Sequence, residues 1–155
     1  MAAEVGKRFV DFNLKNQDGQ AVTLDDFAGK WLVLYVYPKD DTPGCTIQGK
    51  SFTASKQDFD DAGIAVVGVS ADDVESHKNF CNKFSFTIDL LADPNHELLD
   101  AAGVGQSEYK GTMYWDRTSF VIDPQGILRK VYLKVQPDGH EQVLLNDIKA
   151  MQTEA

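Results

Sequence analysis

Cys45 lies in the stretch PKDDTPGCTIQGKS, residues 38–51, directly after the apolar run Trp31 to Tyr37. The residue types there allow two chemistries that exclude each other. From Gly44 to Ser51 they satisfy the phosphate-loop pattern G-x-x-x-x-G-K-[ST], in which glycine backbone wraps anionic oxygens, Lys50 reaches terminal phosphates and Ser51 holds magnesium. From Pro38 to Cys45 they read P-x-x-x-T-x-x-C, a thiol delivered to the start of a helix. Unpaired N–H groups and the positive end of the helix dipole stabilise a thiolate at such a place.

The elements that must position these residues favour the thiol. Six residues, Pro38 and Pro43 among them, intervene between the strand expected over Trp31 to Tyr37 and Gly44, whereas a phosphate loop leaves its strand at once. Cys45, Phe52 and Phe59 recur at intervals of seven and form one stripe of a helix over Cys45 to Asp61. That helix winds Gly49 and Lys50 into its body and removes the cradle. The alternative for Cys45 is that of many free cysteines, a small buried hydrophobe. Ionisation alone makes a reactive thiol and not a fast enzyme. Donors placed on a developing oxygen charge are worth about a hundredfold each, so an arginine and a hydroxyl should converge on Cys45.

Trp31 to Tyr37 and Ile64 to Val69 are apolar without alternation, as expected of interior strands covered on two faces. One helix between them implies a right-handed parallel crossover and the α/β class. A second helix opens at Asp72 to Glu75 in a capping-box-like arrangement and carries Val74, Cys81 and Phe84 to one side. A short strand follows near Ile88 to Leu91, then a helix from Pro94 to about Gly103. Strands at Ser119 to Ile122 and Leu128 to Leu133 are joined by a turn at Asp123 to Gly126, and a final helix spans His140 to Met151. FNLKNQDGQAVTL predicts a small N-terminal hairpin around Asp18-Gly19.

Composition excludes several classes. The 155 residues, 43% hydrophobic and 25% charged, suit one domain over 1–155 with a single substantial core. Fifteen basic against 24 acidic residues, net charge -9, argue against a nucleic-acid surface. No window approaches a membrane span or a signal-peptide core, which makes the cytoplasm the expected compartment. Two cysteines are too few for a secreted disulfide scaffold, and His77, His96 and His140 lack zinc-site spacing.

YPKDDTPGCT resembles the active-site segment of peroxiredoxins, in particular the bacterioferritin-comigratory-protein or peroxiredoxin Q subgroup. GIAVVGVSADDVESHKNF, LLADPNHELLDAAGV and DRTSFVIDPQG are similar to further stretches of that subgroup, so the likeness spans nearly the whole chain. The resemblance implies a thioredoxin-like fold, a central mixed β-sheet flanked by helices, and a peroxidase for hydrogen peroxide and organic hydroperoxides that uses no metal, haem or flavin. It makes Cys45 the peroxidatic cysteine, Thr42 the hydroxyl contacting thiolate and peroxide, Pro38 the shield of the pocket and Arg117 the guanidinium that holds the thiolate and peroxide oxygens. The competing expectation for Arg117 is a surface ion pair with Asp116.

Many members of the subgroup carry a resolving cysteine five residues after the first, where this chain has Lys50. Others place it in the following helix, which implies an intramolecular Cys45–Cys81 disulfide in a monomer, reduced by a thioredoxin- or glutaredoxin-like donor. Inert packing is the alternative for Cys81. Gln48 stands where the subgroup usually has Glu, and FVDF lacks a common proline. Other readings, a one-cysteine peroxidase, a nucleotide-binding module or a non-catalytic thioredoxin-like domain, differ in disulfide formation, ATP affinity through Lys50 and peroxide reactivity.

Overall fold

Every residue of Trp31–Val36 (β3) is buried, because both faces of this strand are covered. The computed structural model describes residues 3–153. β3 pairs in parallel with Ile64–Ser70 (β4), and β4 with Asp89–Ala92 (β5). On its other side β3 pairs antiparallel with Thr118–Ile122 (β8), which pairs antiparallel with Leu128–Tyr132 (β9). The N-terminal hairpin of Asn13–Lys15 (β1) and Ala21–Thr23 (β2) joins the β5 edge through Lys15 opposite Ala92. The result is a seven-stranded mixed sheet in the order β2-β1-β5-β4-β3-β8-β9.

Strand alternation divides the core in two. Leu32, Leu34 and Val36 pack with Phe9, Phe120, Ile122 and the short helix Glu97–Ala101 (α4) on one face. Val33, Tyr35 and Tyr37 pack on the other with Pro43–Ala54 (α1), Lys56–Asp61 (α2), Val74–Phe84 (α3) and His140–Gln152 (α5). Cys45 and Cys81 share this second cluster, and both thiols are free.

The helix expected over Cys45 to Asp61 starts two residues earlier and is interrupted at Ser55, between α1 and α2. The Ser55 and Phe59 amides still donate four residues back, to Ser51 and Ser55, so the break does not redirect the stripe: Cys45, Phe52 and Phe59 are all buried. α3 begins one residue later than a cap at Asp72 would place it. Asp73 is the cap, accepting from the Ser76 amide at 2.8 Å, while Asp72 takes the Asp40 amide and the Ser70 hydroxyl. The buried face of α3 is His77, Phe80 and Cys81, and Val74 lies at its margin. α4 starts at Glu97 and not Pro94, because the Asp93 carboxylate takes the amides of Glu97 and Leu99 and His96 has φ 59°.

A separate hairpin, Gln106–Tyr109 (β6) with Thr112–Trp115 (β7), has no counterpart in the expectations drawn from sequence. Its β6 residues are all exposed, so no burial pattern marked it, although Lys110-Gly111, with φ 50° and 82°, is a turn between β-forming residues.

Candidate active site

Cys45 is the third residue of α1, 2% exposed, and Pro43 opens the helix, where a missing N–H costs nothing. Thr42 occupies the N-cap position with extended backbone. Its hydroxyl donates to the Lys39 carbonyl at 2.8 Å and not to the helix, which ties the loop after β3 into a turn. Pro38 is half-buried at the start of that loop. Gly49 and Lys50 lie inside α1, so no phosphate cradle exists. Gly49 is required by packing instead: a Cβ there would meet the Phe86 ring at 2.3 Å.

Arg117 enters from the junction of β7 and β8. It does not pair with Asp116, whose carboxylate accepts from Ser107 at 2.5 Å. The guanidinium lies across the first turn of α1, where a Cβ added to Gly44 would sit 2.3 Å from Nη2, and Nη1 donates to Gln48 Oε1 at 2.7 Å. Gln48 is three residues beyond Cys45 and therefore on the same side of the helix. Its side chain is buried, and its Nε2 has no partner. The first half of α1 thus carries Cys45, the Arg117 guanidinium laid against Gly44 and Gln48, and an unpaired amide donor. Tyr35, in the same cluster, has its phenol raised well above the ordinary range by burial and then by Cys45 and Cys81, which keeps it a neutral donor.

Cys81 is 7% exposed in α3. Burial, followed by the charges of Asp40, Asp89 and Asp18, pushes its thiol up to about 12, so at neutral pH it is protonated and unreactive where it stands.

Sequence reading missed the polar group that joins the loop to α3. His77 is fully buried, with Nδ1 2.6 Å from Asp40 Oδ2 and Nε2 2.8 Å from the Leu91 carbonyl. The carbonyl only accepts, so Nε2 carries a proton. Asp40 also accepts from the Tyr37 hydroxyl at 2.6 Å and from Ser76 Oγ at 2.8 Å. Asp40, Asp72 and His77 offer atoms within 4.8 Å of one another, as a metal site would, but each is engaged in these hydrogen bonds. The sequence signal was His77 one turn before Cys81 in VESHKNFC.

Residues 5–131 match the AhpC/TSA family. Peroxiredoxin Bcp of Bacillus subtilis is 37% identical over 157 aligned positions, covering 97% of this chain and 98% of that protein. The bacterioferritin comigratory protein of Xanthomonas campestris, solved in work on its alkyl peroxide reduction activity, superposes with a TM-score of 0.85 at 36% identity over 90% of this chain and 91% of that one. A cysteine-to-serine variant of Xylella fastidiosa PrxQ gives 0.92 at 30% identity, over 98% and 99%.

Proposed function

This chain belongs to the AhpC/TSA family, with the thioredoxin-like fold of its Bcp and peroxiredoxin Q members, and from that premise we propose a two-cysteine peroxidase cycle carried by Cys45 and Cys81. The substrates are hydrogen peroxide and organic hydroperoxides, in keeping with the alkyl peroxide reduction described for the Xanthomonas campestris protein. The observation that carries the reading is the Arg117 guanidinium held between Gly44 and Gln48 at the helix end that presents Cys45.

In the first step the Cys45 thiolate attacks the nearer peroxide oxygen. The S–O bond forms as O–O breaks, the sulfur is oxidised to sulfenic acid, and the other oxygen leaves with a proton as water or alcohol. Arg117 donates to the oxygen that gains charge, and Thr42 orients the peroxide with its hydroxyl oxygen while Pro38 limits water access. In the second step Cys81 sulfur replaces the hydroxyl on Cys45, releasing water and leaving a disulfide. A thioredoxin- or glutaredoxin-like dithiol then reduces that disulfide and is itself oxidised. The protein works as a monomer, because resolution is internal, and its compartment in this reading is the cytoplasm.

One observation favours a second reading. The depth of Cys81 and its raised thiol pKa suit a one-cysteine cycle, in which an external thiol attacks the sulfenic acid directly. The Cys81→Ser variant separates the two. The two-cysteine cycle predicts that peroxide still oxidises Cys45, that a sulfenic acid accumulates and is trapped by dimedone, and that thioredoxin-supported turnover is lost. Undiminished turnover in that variant would refute the role of Cys81.

A further inference from the structure

Cys81 cannot act from where it rests. A resolving thiol must be accessible to its partner and free to ionise, and this one is 7% exposed within the second core, where burial opposes its ionisation. Some part of α3 must therefore open, and what holds α3 down decides how often.

Two polar ties join α3 to the loop that carries Pro38 and Thr42. Lys83 to Asp41, at 2.8 Å, is more than half exposed at Lys83 and nearly half exposed at Asp41, and exposed pairs of this kind contribute little. The other is His77, one turn before Cys81. Its ring spans from Asp40 in the loop to the Leu91 carbonyl in β5, with the Tyr37 hydroxyl also 3.3 Å from Nδ1, so withdrawal of α3 breaks all of these buried contacts at once. Ser76 adds a second α3 contact to the same carboxylate oxygen. Outside this tie, Asp40, Asp41, Ser76, Phe80 and Lys83 line a surface hollow where the loop meets α3.

We propose that the buried Asp40–His77 pair is the latch that sets how often Cys81 leaves the core, and through this the rate of disulfide formation, while leaving attack on peroxide to the Cys45 side of the loop. His77 is in this sense a positioning residue, acting through α3 and touching neither peroxide nor the reacting sulfurs. The kinetic half of the proposal rests on the Cys45–Cys81 disulfide. The opening half does not.

The test uses the full chain carrying Cys45→Ser, so that only Cys81 can react, and follows its modification by N-ethylmaleimide with mass spectrometry in denaturant well below the unfolding transition. Loss of a hydrogen bond to a charged partner should speed labelling at least about tenfold in His77→Gln, with a smaller acceleration in Ser76→Ala and less than about twofold in Lys83→Ala. His77→Gln labelling no faster than Lys83→Ala, or labelling in every variant that simply tracks global unfolding, overturns the latch. If His77→Gln does not fold, Ser76→Ala decides alone: acceleration beyond Lys83→Ala supports the latch, and none overturns it. With Cys45 restored, peroxide should give faster disulfide formation in Ser76→Ala with an unchanged rate of Cys45 oxidation. Labelling as predicted with no disulfide in any variant would remove the two-cysteine cycle and keep the latch.

Discussion

The Arg117 guanidinium rests on the backbone of Gly44, so closely that a Cβ at residue 44 would lie 2.3 Å from Nη2. Residue 44 has ordinary helical backbone and needs no glycine for its conformation. The glycine is there to admit the arginine.

Gly44→Ala should therefore separate activity from stability. Alanine is preferred over glycine within a helix by about 0.5–1 kcal/mol, and the group it displaces is the mobile end of a side chain, so the fold should change by no more than about 1 kcal/mol in either direction. Loss of one placed donor slows the reaction by about a hundredfold. Urea unfolding and the second-order rate of Cys45 oxidation by hydrogen peroxide measure the two. A variant that oxidises at the parental rate would show that Arg117 does not act from this position.

Gln48→Glu tests what the neutral amide does. Gln48 accepts from Arg117 without cancelling its charge, and leaves its own Nε2 unpaired. A carboxylate there would bind the guanidinium more strongly but add a negative charge near the Cys45 sulfur, which at short range disfavours the thiolate and should slow peroxide reaction by about three- to tenfold. A rate equal to or above the parental one would mean that orienting Arg117 matters more than the charge it presents.

Cys81 should give the fold an alkaline weakness. Its folded pKa, about 12, lies above the unfolded thiol value, so the protonated thiol favours the folded state. That contribution is complete below the unfolded value of about 8.5 and is lost as pH rises from there towards the folded one. Urea midpoints between pH 8 and 11 should fall for the parental chain and fall less for Cys81→Ser. Parallel declines would contradict the burial of this thiol.

His140 should give an acid weakness. Its Nε2 lies 2.9 Å from Ser119 Oγ, its ring packs edge-on against Tyr132, and burial lowers its pKa against the opposing influence of Asp147. The neutral ring is favoured in the fold, so the stability it lends is complete above the unfolded value of about 6.5 and declines as pH falls below it. His140→Gln, which cannot titrate, should show a flatter stability profile between pH 7 and 5. Asp147 is also depressed, chiefly by its hydrogen bond from Tyr132, but its contribution is lost only in the more acidic carboxylate window.

Much of this was legible before coordinates because local pattern and tertiary role coincide along the chain. The unalternated runs of β3 and β4 required cover on both faces, and the stripe of Cys45, Phe52 and Phe59 placed the thiol at a helix start against a competing phosphate-loop match. Gly44 and Gly49 completed that match for an unrelated reason, the close approach of Arg117 and Phe86. What could not be read depended on pairs far apart in sequence. Arg117 meets Gln48 across 69 positions and Asp40 meets His77 across 37, and the local hint at the second pair, His77 one turn before Cys81, says nothing of its distant partner. The β6–β7 hairpin escaped because its β6 strand is exposed throughout and its β7 strand is exposed at Thr112 and Met113, which leaves no pattern of burial in the residues.

The most direct measurement is a thiol count. Fully reduced protein is mixed with one equivalent of hydrogen peroxide under denaturation-free conditions, quenched, and its free thiols and cross-linked peptides are determined by mass spectrometry. The two-cysteine cycle predicts loss of both thiols per peroxide consumed and a single Cys45–Cys81 peptide. Retention of both thiols would contradict peroxidase chemistry at Cys45 altogether, and loss of Cys45 alone, with Cys81 still free, would contradict its resolution within the chain.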